Sequence, residues 1–245
     1  MKIAIVGATK GMGRALAREL AARGDALCLL GRDTEELAKS AEDLRVRGPS
    51  AKVSTAHCDF EQPESFGDVV TEAEAQLGGL EAVIVTAGMF GTQDALEADA
   101  QLLQRVLAVD FTNTVLFCEA ARKQLLARGG GTLCVFSSVA GERGRKPVVL
   151  YGAAKAGVSA YLEGLDHRFH AQGLRVVCVK PGFVKTGMTA GLRPPPFAGE
   201  PEAVAKAVVR ALDRGKPVVY APGIWRWIMM VIRMLPRFLM RRIGF

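Results

Sequence analysis

Residues 2–24 read "KIAIVGATKGMGRALARELAARG": an apolar run, a glycine-bearing turn, then a segment mixing Ala and Leu with Arg and Glu. The run "KIAIV" suits a strand covered on both faces. The turn Gly7-Ala8-Thr9-Lys10-Gly11-Met12-Gly13 follows it directly. Glycines at these three spacings permit a sharp turn, close approach of backbone to a pyrophosphate, and close packing of the next helix on the sheet. The N-terminus of that helix would face the anion. Strand, turn and helix in this order predict that a dinucleotide fold starts at the first residues.

The same alternation continues outward. Further strand-like runs are "ALCLL" (26–30), "KVSTAH" (52–57), "AVIVT" (82–86), "TLCVFS" (132–137), "LRVVCVK" (174–180) and "PVVY" (217–220). Amphipathic helical patterns lie between them, at about 11–17, 34–46, 62–77, 99–128, 149–171 and 201–213. Asp33-Thr34-Glu35-Glu36 resembles a capping box, and Gly48-Pro49 ends that helix. The expected fold is therefore α/β, a Rossmann-like, doubly wound parallel sheet of about seven strands in a single domain. The stretch "TGMTAGLRPPPFAGEP" (186–201) is too long and too rich in Gly and Pro for a plain connection, and is expected to be a mobile loop over a site.

The net charge of +7 is uneven. From Arg214 onward there are seven bases and no acid, so residues 1–213 sum to zero. A neutral body argues against nucleic acid as a partner. The five cysteines form no CxxC pair, and three of them lie in apolar runs; they read as core residues of a reducing compartment. No metal-ligand spacing is present, so no metal is expected. Met1-Lys2 runs straight into the first strand, and no leader peptide is expected.

In such folds the residue closing the second strand meets the adenosine ribose, and an acid there selects NAD. Here it is Gly31-Arg32. A guanidinium at that place suits a 2′-phosphate, with Lys10 as a second cation, so NADP(H) is expected over NAD(H). Asp33 beside it keeps NAD as the alternative, although a helix-cap role also accounts for that residue.

Residues 137–157 read "SSVAGERGRKPVVLYGAAKAG". Tyr151 and Lys155, four apart, share one helical face, where the ammonium can favour the ionised phenol. Ser138, ending a strand, can direct its hydroxyl at a carbonyl that Tyr151 protonates. With these residues the chain resembles the short-chain dehydrogenase/reductase family over residues 1–221. The motifs are the GxxxGxG turn, Asp59 after the third strand, "TAGMF" at 86–90, Ser138, Tyr151xxxLys155, and Pro181-Gly182 with Thr186.

The resemblance implies a general-acid Tyr151, a Lys155 that holds the nicotinamide ribose and lowers the phenol pKa, and a Ser138 that orients the substrate oxygen. It places Asp59 and the backbone at Ala87-Gly88 beside the adenosine and Thr186 on the nicotinamide side, with Thr9, Met12, Phe60, Pro181, Gly182 and Val184 as further cofactor-binding residues. It also implies a homo-dimer or homo-tetramer.

Two positions depart from the family pattern. Thr86 replaces the second Asn of the usual Asn-Asn-Ala-Gly, which is expected to change only local sheet bonding. Asp110, in "VLAVDFTN", replaces an Asn that bends its helix and holds a relay water. Asp110 either pairs with Lys155 and opposes Tyr151 activation or joins the relay as a catalytic group; Asn113, one turn on, is a candidate substitute.

Within the family, "GERGRKPVVLYGAAKAG", "VKPGFVKTGMTAGL" and "PVVYAPGIWRWIMMVIRMLPRFLMRR" resemble reductases of a decaprenylphosphoryl 2-keto-pentose. That resemblance implies a lipid-linked ketone as substrate, whose phosphate the bases Lys185 and Arg193 could meet. Reductases of 3-oxoacyl, sphingoid or steroid ketones are the same-fold alternative. A non-catalytic NADPH-binding scaffold or sensor is the alternative of another class.

Residues 222–245 form a basic amphipathic tail beyond a catalytic domain of residues 1–221. On one continuous helix Arg226, Arg233, Arg237 and Arg241 would share a narrow sector, with Trp, Ile, Met, Val, Leu and Phe around the rest. The segment 223–245 is too short and too charged to span a bilayer, and reads as an interfacial helix. A partner-subunit interface and a pocket wall are the other readings. The expected location is the cytoplasm, with the tail at the inner face of the membrane.

Overall fold

The computed structural model describes residues 1–48 and 51–244. Seven parallel strands form one sheet in the order β3-β2-β1-β4-β5-β6-β7. They are β1 Lys2–Val6, β2 Ala26–Gly31, β3 Val53–His57, β4 Ala82–Val85, β5 Gly131–Phe136, β6 Leu174–Pro181 and β7 Val218–Ala221. Each agrees with its sequence-predicted run to within a residue or two. The order reverses direction at β1, whose neighbours are β2 on one side and β4 on the other, so the connections leave a crevice beyond the carboxyl ends of these strands.

The helices are α1 Gly11–Ala22, α2 Thr34–Arg47, α3 Phe66–Leu77, α4 Gln93–Ala98, α5 Ala100–Leu107, α6 Thr114–Ala127, α7 Val149–Phe169, α8 Pro201–Arg214, α9 Trp225–Met234 and α10 Arg237–Met240. They cover both faces of the sheet. One apolar layer joins α1, α2 and α8 to the sheet through Leu16, Leu20, Leu37, Leu44 and Val208. The other joins α3, α6 and α7 through Val70, Phe117, Leu125, Val158 and Leu162. Burial on both faces explains why the strands read as unbroken apolar runs rather than alternating ones.

Three local expectations change. The helix expected over 99–128 is divided: between α5 and α6 the backbone widens into one π-turn, Ala108–Asn113, which brings Asp110 and Asn113 inside. The short α4, capped by Thr92, precedes it and has no counterpart in the sequence reading. Asp33 caps α2 by accepting from the Glu36 N–H at 3.0 Å, while Glu36 turns to Arg14 and Lys39. Gly48 closes α2, and Pro49 lies outside the described residues.

The tail is not one free helix. It breaks at Leu235-Pro236, and α9 buries Trp225, Met229 and Ile232 against Val139, with Phe183 and Tyr220 beside them. The apolar circumference expected for the tail thus divides into an inward face and an outward one. All five cysteines are free and buried.

Candidate active site

Gly7 holds φ at +86°, a conformation that side chains other than glycine rarely adopt. A Cβ at Gly13 would lie 2.2 Å from the Gly7 carbonyl oxygen and 2.5 Å from Thr86 Oγ1, so α1 can settle this close to β1 and β4 only with glycine there. The N-cap residue Lys10 makes no capping bond, and the first turn of α1 carries no acid. Its free N–H groups and positive dipole end are therefore open to an anion. Thr186 stands over this turn: its methyl is 3.4 Å from where a Cβ on Gly11 would be. An uncapped helix end and a backbone without side chains fit the diphosphate of a dinucleotide.

At the end of β2 the Arg32 guanidinium is exposed and only loosely tied, 3.5 Å from Glu61. Glu61 already receives two bonds from Arg105, at 3.0 and 2.8 Å, which hold its carboxyl below the usual range. Arg32 therefore stays available beside the adenosine side of the crevice. Asp33 is occupied as the α2 cap, and Asp59 accepts from the Glu61 N–H at 3.0 Å. Ala87 and Gly88 follow β4 and border the crevice; a Cβ on Gly7 would fall 2.7 Å from the Ala87 nitrogen. Lys10 is exposed, and Thr9 half-buried, in the turn.

Five residues expected around a cofactor are packed into the interior or beneath the tail. The Phe60 ring lies among Phe66 and Phe117, at 5.1 and 5.3 Å. Val184 is buried in the layer shared with α1 and α8, and Met12 packs against the same layer. Pro181 is buried at the end of β6, and Gly182 follows it under the Trp225 ring: a Cβ there would meet Trp225 Nε1 at 2.0 Å.

The reactive side chains converge at the carboxyl end of β5. Ser138 follows the strand and accepts from the Ala140 N–H at 3.1 Å, with its hydroxyl close enough to Tyr151 to act on the phenol. Tyr151 and Lys155 occupy one face of α7, with Lys155 Nζ 5.7 Å from the Tyr151 ring centre. Ser137 holds α7 in place, donating to the Lys155 carbonyl at 2.9 Å and sharing a 2.7 Å bond with Ser159. Asp110, fully buried, accepts from the Met89 N–H at 2.8 Å and faces Lys155 Nζ at 3.5 Å through the same oxygen. Its second oxygen is buried and without a protein partner.

The electrostatics follow from burial and these contacts. Burial pushes the Tyr151 phenol above its ordinary value and the Asp110 carboxylate adds to that, while the Lys155 ammonium and the Ser138 hydrogen bond pull it down. Burial opposes the Lys155 charge, yet Asp110 and Tyr151 outweigh it and hold the ammonium above its ordinary value. Burial raises the Asp110 carboxyl in spite of Lys155 and the Met89 N–H. The site therefore holds a proton-bearing phenol beside a firmly charged lysine.

The sequence pattern described as short chain dehydrogenase matches residues 1–196. An uncharacterized oxidoreductase of Mycobacterium tuberculosis is 36% identical over 240 residues, covering 98% of this chain and 96% of that protein. Another, from Streptomyces coelicolor, is 36% identical over 244 residues, covering 98% and 94%. The chain belongs to the short-chain dehydrogenase family. Among solved structures, a short-chain dehydrogenase from Sphingobium yanoikuyae in complex with NADPH superposes with a TM-score of 0.83 at 24% identity, covering 99% of this chain and 96% of that one. Levodione reductase superposes at 0.80 with 26% identity, covering 89% and 94%.

In this member of the short-chain dehydrogenase family, Thr86 donates to the Val6 carbonyl at 2.9 Å and so ties β4 to β1 at the turn. Asn113 does not stand in for the missing asparagine: its amide donates to the Phe60 carbonyl at 2.7 Å, away from Lys155. Asp110 lies within ion-pairing distance of Lys155.

Two neighbours of the site escaped the sequence reading. Phe90 stacks edge-on against Tyr151 at 5.2 Å, and Gln93 accepts from the Leu150 N–H at 3.2 Å, steadying the start of α7. Both come from the segment after β4, and nothing local in the sequence indicated that it would meet α7. A recess of about 1120 Å³ lies elsewhere, along β7, α8 and α9, and neither Ser138, Tyr151 nor Lys155 borders it.

Proposed function

We propose that this chain is an NADPH-dependent reductase that converts a ketone to a secondary alcohol. The observation that carries this reading is the joining of Ser138, Tyr151 and Lys155 beside the open N-terminus of α1. Ser138 orients the carbonyl oxygen and Tyr151 delivers the proton to it. Lys155, kept charged by Asp110, holds the nicotinamide ribose and stabilises the phenolate that remains. A bound reduced nicotinamide would supply the hydride. Gly7, Gly11 and Gly13 admit the diphosphate, and Arg32 would meet the 2′-phosphate with Lys10.

The finer reading is a ketone carried on a lipid, such as a polyprenylphosphoryl 2-keto sugar. It is supported by the resemblance of three segments to reductases of that class and by the placement of the tail, which packs on Val139 and Gly182 at the substrate side. The likeness to levodione reductase and a 26% identical carbonyl reductase family member of Xenopus tropicalis favours a second reading, a small soluble ketone.

The test is NADPH oxidation in the presence of activated diketones and of a polyprenylphosphoryl 2-keto sugar. Tyr151→Phe should lower turnover by about 10²- to 10⁴-fold while NADPH binding persists. Turnover unchanged by that substitution would overturn the reductase reading. Turnover of soluble ketones alone would select the second substrate class.

A further inference from the structure

The outward face of α9 and α10 has no use in the reductase. Trp225, Met229 and Ile232 point inward, yet Trp227, Val231, Met234 and Phe238 remain 59%, 56%, 79% and 59% exposed. Large apolar side chains left in water on one short segment mark a contact surface. Around them stand Arg226, Arg237, Arg241 and Arg242, none paired with a carboxylate among the described residues, and Arg226 lies 5.7 Å from the Trp227 ring centre. Among the described residues, only Arg233 of this segment is neutralised, by Glu142 at 3.2 Å. The adjoining recess is basic on balance, with Arg210, Arg214 and Lys216 on its wall against Glu163 and Asp166.

We propose that this face docks on an anionic lipid bilayer, with the tryptophan at headgroup depth, the methionines and Phe238 below it, and the arginines on lipid phosphates. Charge complementarity chooses the occupant. A second copy would bring arginine face to arginine face, with no acid from residue 214 onward to relieve them. No helix among the described residues is long and apolar enough to cross a membrane, so the segment lies on the surface. The two-sidedness of α9 makes the docking rigid: Arg143 donates to the Leu235 carbonyl at 2.8 Å and Lys146 to the Arg241 carbonyl at 2.7 Å, from the segment that follows Ser138. The Trp225 indole donates to the Phe197 carbonyl of the 186–201 loop at 3.4 Å. A docked molecule would present that loop and the substrate side to the bilayer. The surface does not depend on the reductase reading.

The experiment is co-sedimentation of the full-length protein with vesicles of phosphatidylcholine alone and of phosphatidylcholine with phosphatidylglycerol. Truncation is unsuitable, because it would uncover Val139 and Gly182; outward point variants leave the inward face whole. The wild type should sediment with anionic vesicles and be released by salt. Arg237→Gln and Arg226→Gln should each weaken partitioning about fivefold, and Met234→Glu more than either, with melting temperature and ketone turnover unchanged. Equal partitioning into neutral vesicles would overturn the anionic assignment. Absence of sedimentation, with Met234→Glu splitting an oligomer on gel filtration, would make the face a subunit interface instead.

Discussion

Replacing Asp110 by Asn separates charge from hydrogen bonding, since the amide oxygen can still accept the Met89 N–H now bonded at 2.8 Å. What disappears is a carboxylate 3.5 Å from Lys155 Nζ. At an effective dielectric of about 20 that attraction is about 5 kcal/mol, much of it offset by the desolvation of the pair. Lys155 should therefore fall toward its ordinary value. Tyr151 should fall with it, because the carboxylate that raises the phenol is gone. Lys155 partly screens the carboxylate from the phenol, so the fall is smaller than an unscreened like charge would produce. The sign is then set: reduction needs the protonated phenol, so its alkaline limb should move to lower pH. Alcohol oxidation, which needs the phenolate, should gain up to about tenfold near neutrality. Initial rates in both directions from neutral to strongly alkaline pH provide the assay. An alkaline limb that stays in place would mean that Asp110 is neutral when the enzyme works and serves only as an acceptor for Met89; a shift upward would refute the electrostatic reasoning altogether.

Arg32→Ser should raise the KM for NADPH about tenfold or more and leave that for NADH nearly unchanged, the loss expected for one charge-assisted bond to a phosphate; steady-state kinetics with both cofactors check it, and unchanged discrimination would remove Arg32 from the site. Glu142→Gln should lower the melting temperature by roughly 4–8 °C, because it strips Lys180 and Arg233 of their shared, buried carboxylate at a cost of about 2 kcal/mol. The same variant should make the tail more susceptible to limited proteolysis, since Arg233 is the ion pair joining α9 to the segment after Ser138.

The alternation of strand and helix, the glycine turn and the Tyr151–Lys155 pair were legible because each depends on residues within a few positions of one another. A glycine at 13 announces close packing whatever the packing partner is. Asp33 likewise declared itself a helix cap in the sequence. The roles of Asp110 and Asn113 were not legible in this way. They lie in one π-turn, three residues apart, yet one faces Lys155 from α7 and the other the Phe60 carbonyl beyond β3, contacts spanning 45 and 53 residues.

The tail shows the same division. Its composition alone established a basic, amphipathic segment that cannot cross a bilayer. Which part of its apolar surface packs on the protein depended on Gly182, Val139 and Glu142 arriving beneath it, and on the break at Pro236 that ends a single helical register. Local patterns follow from backbone geometry and near neighbours, which the chain carries in its order. The choice between two apolar faces of one helix is made by partners brought together only when the sheet closes around them.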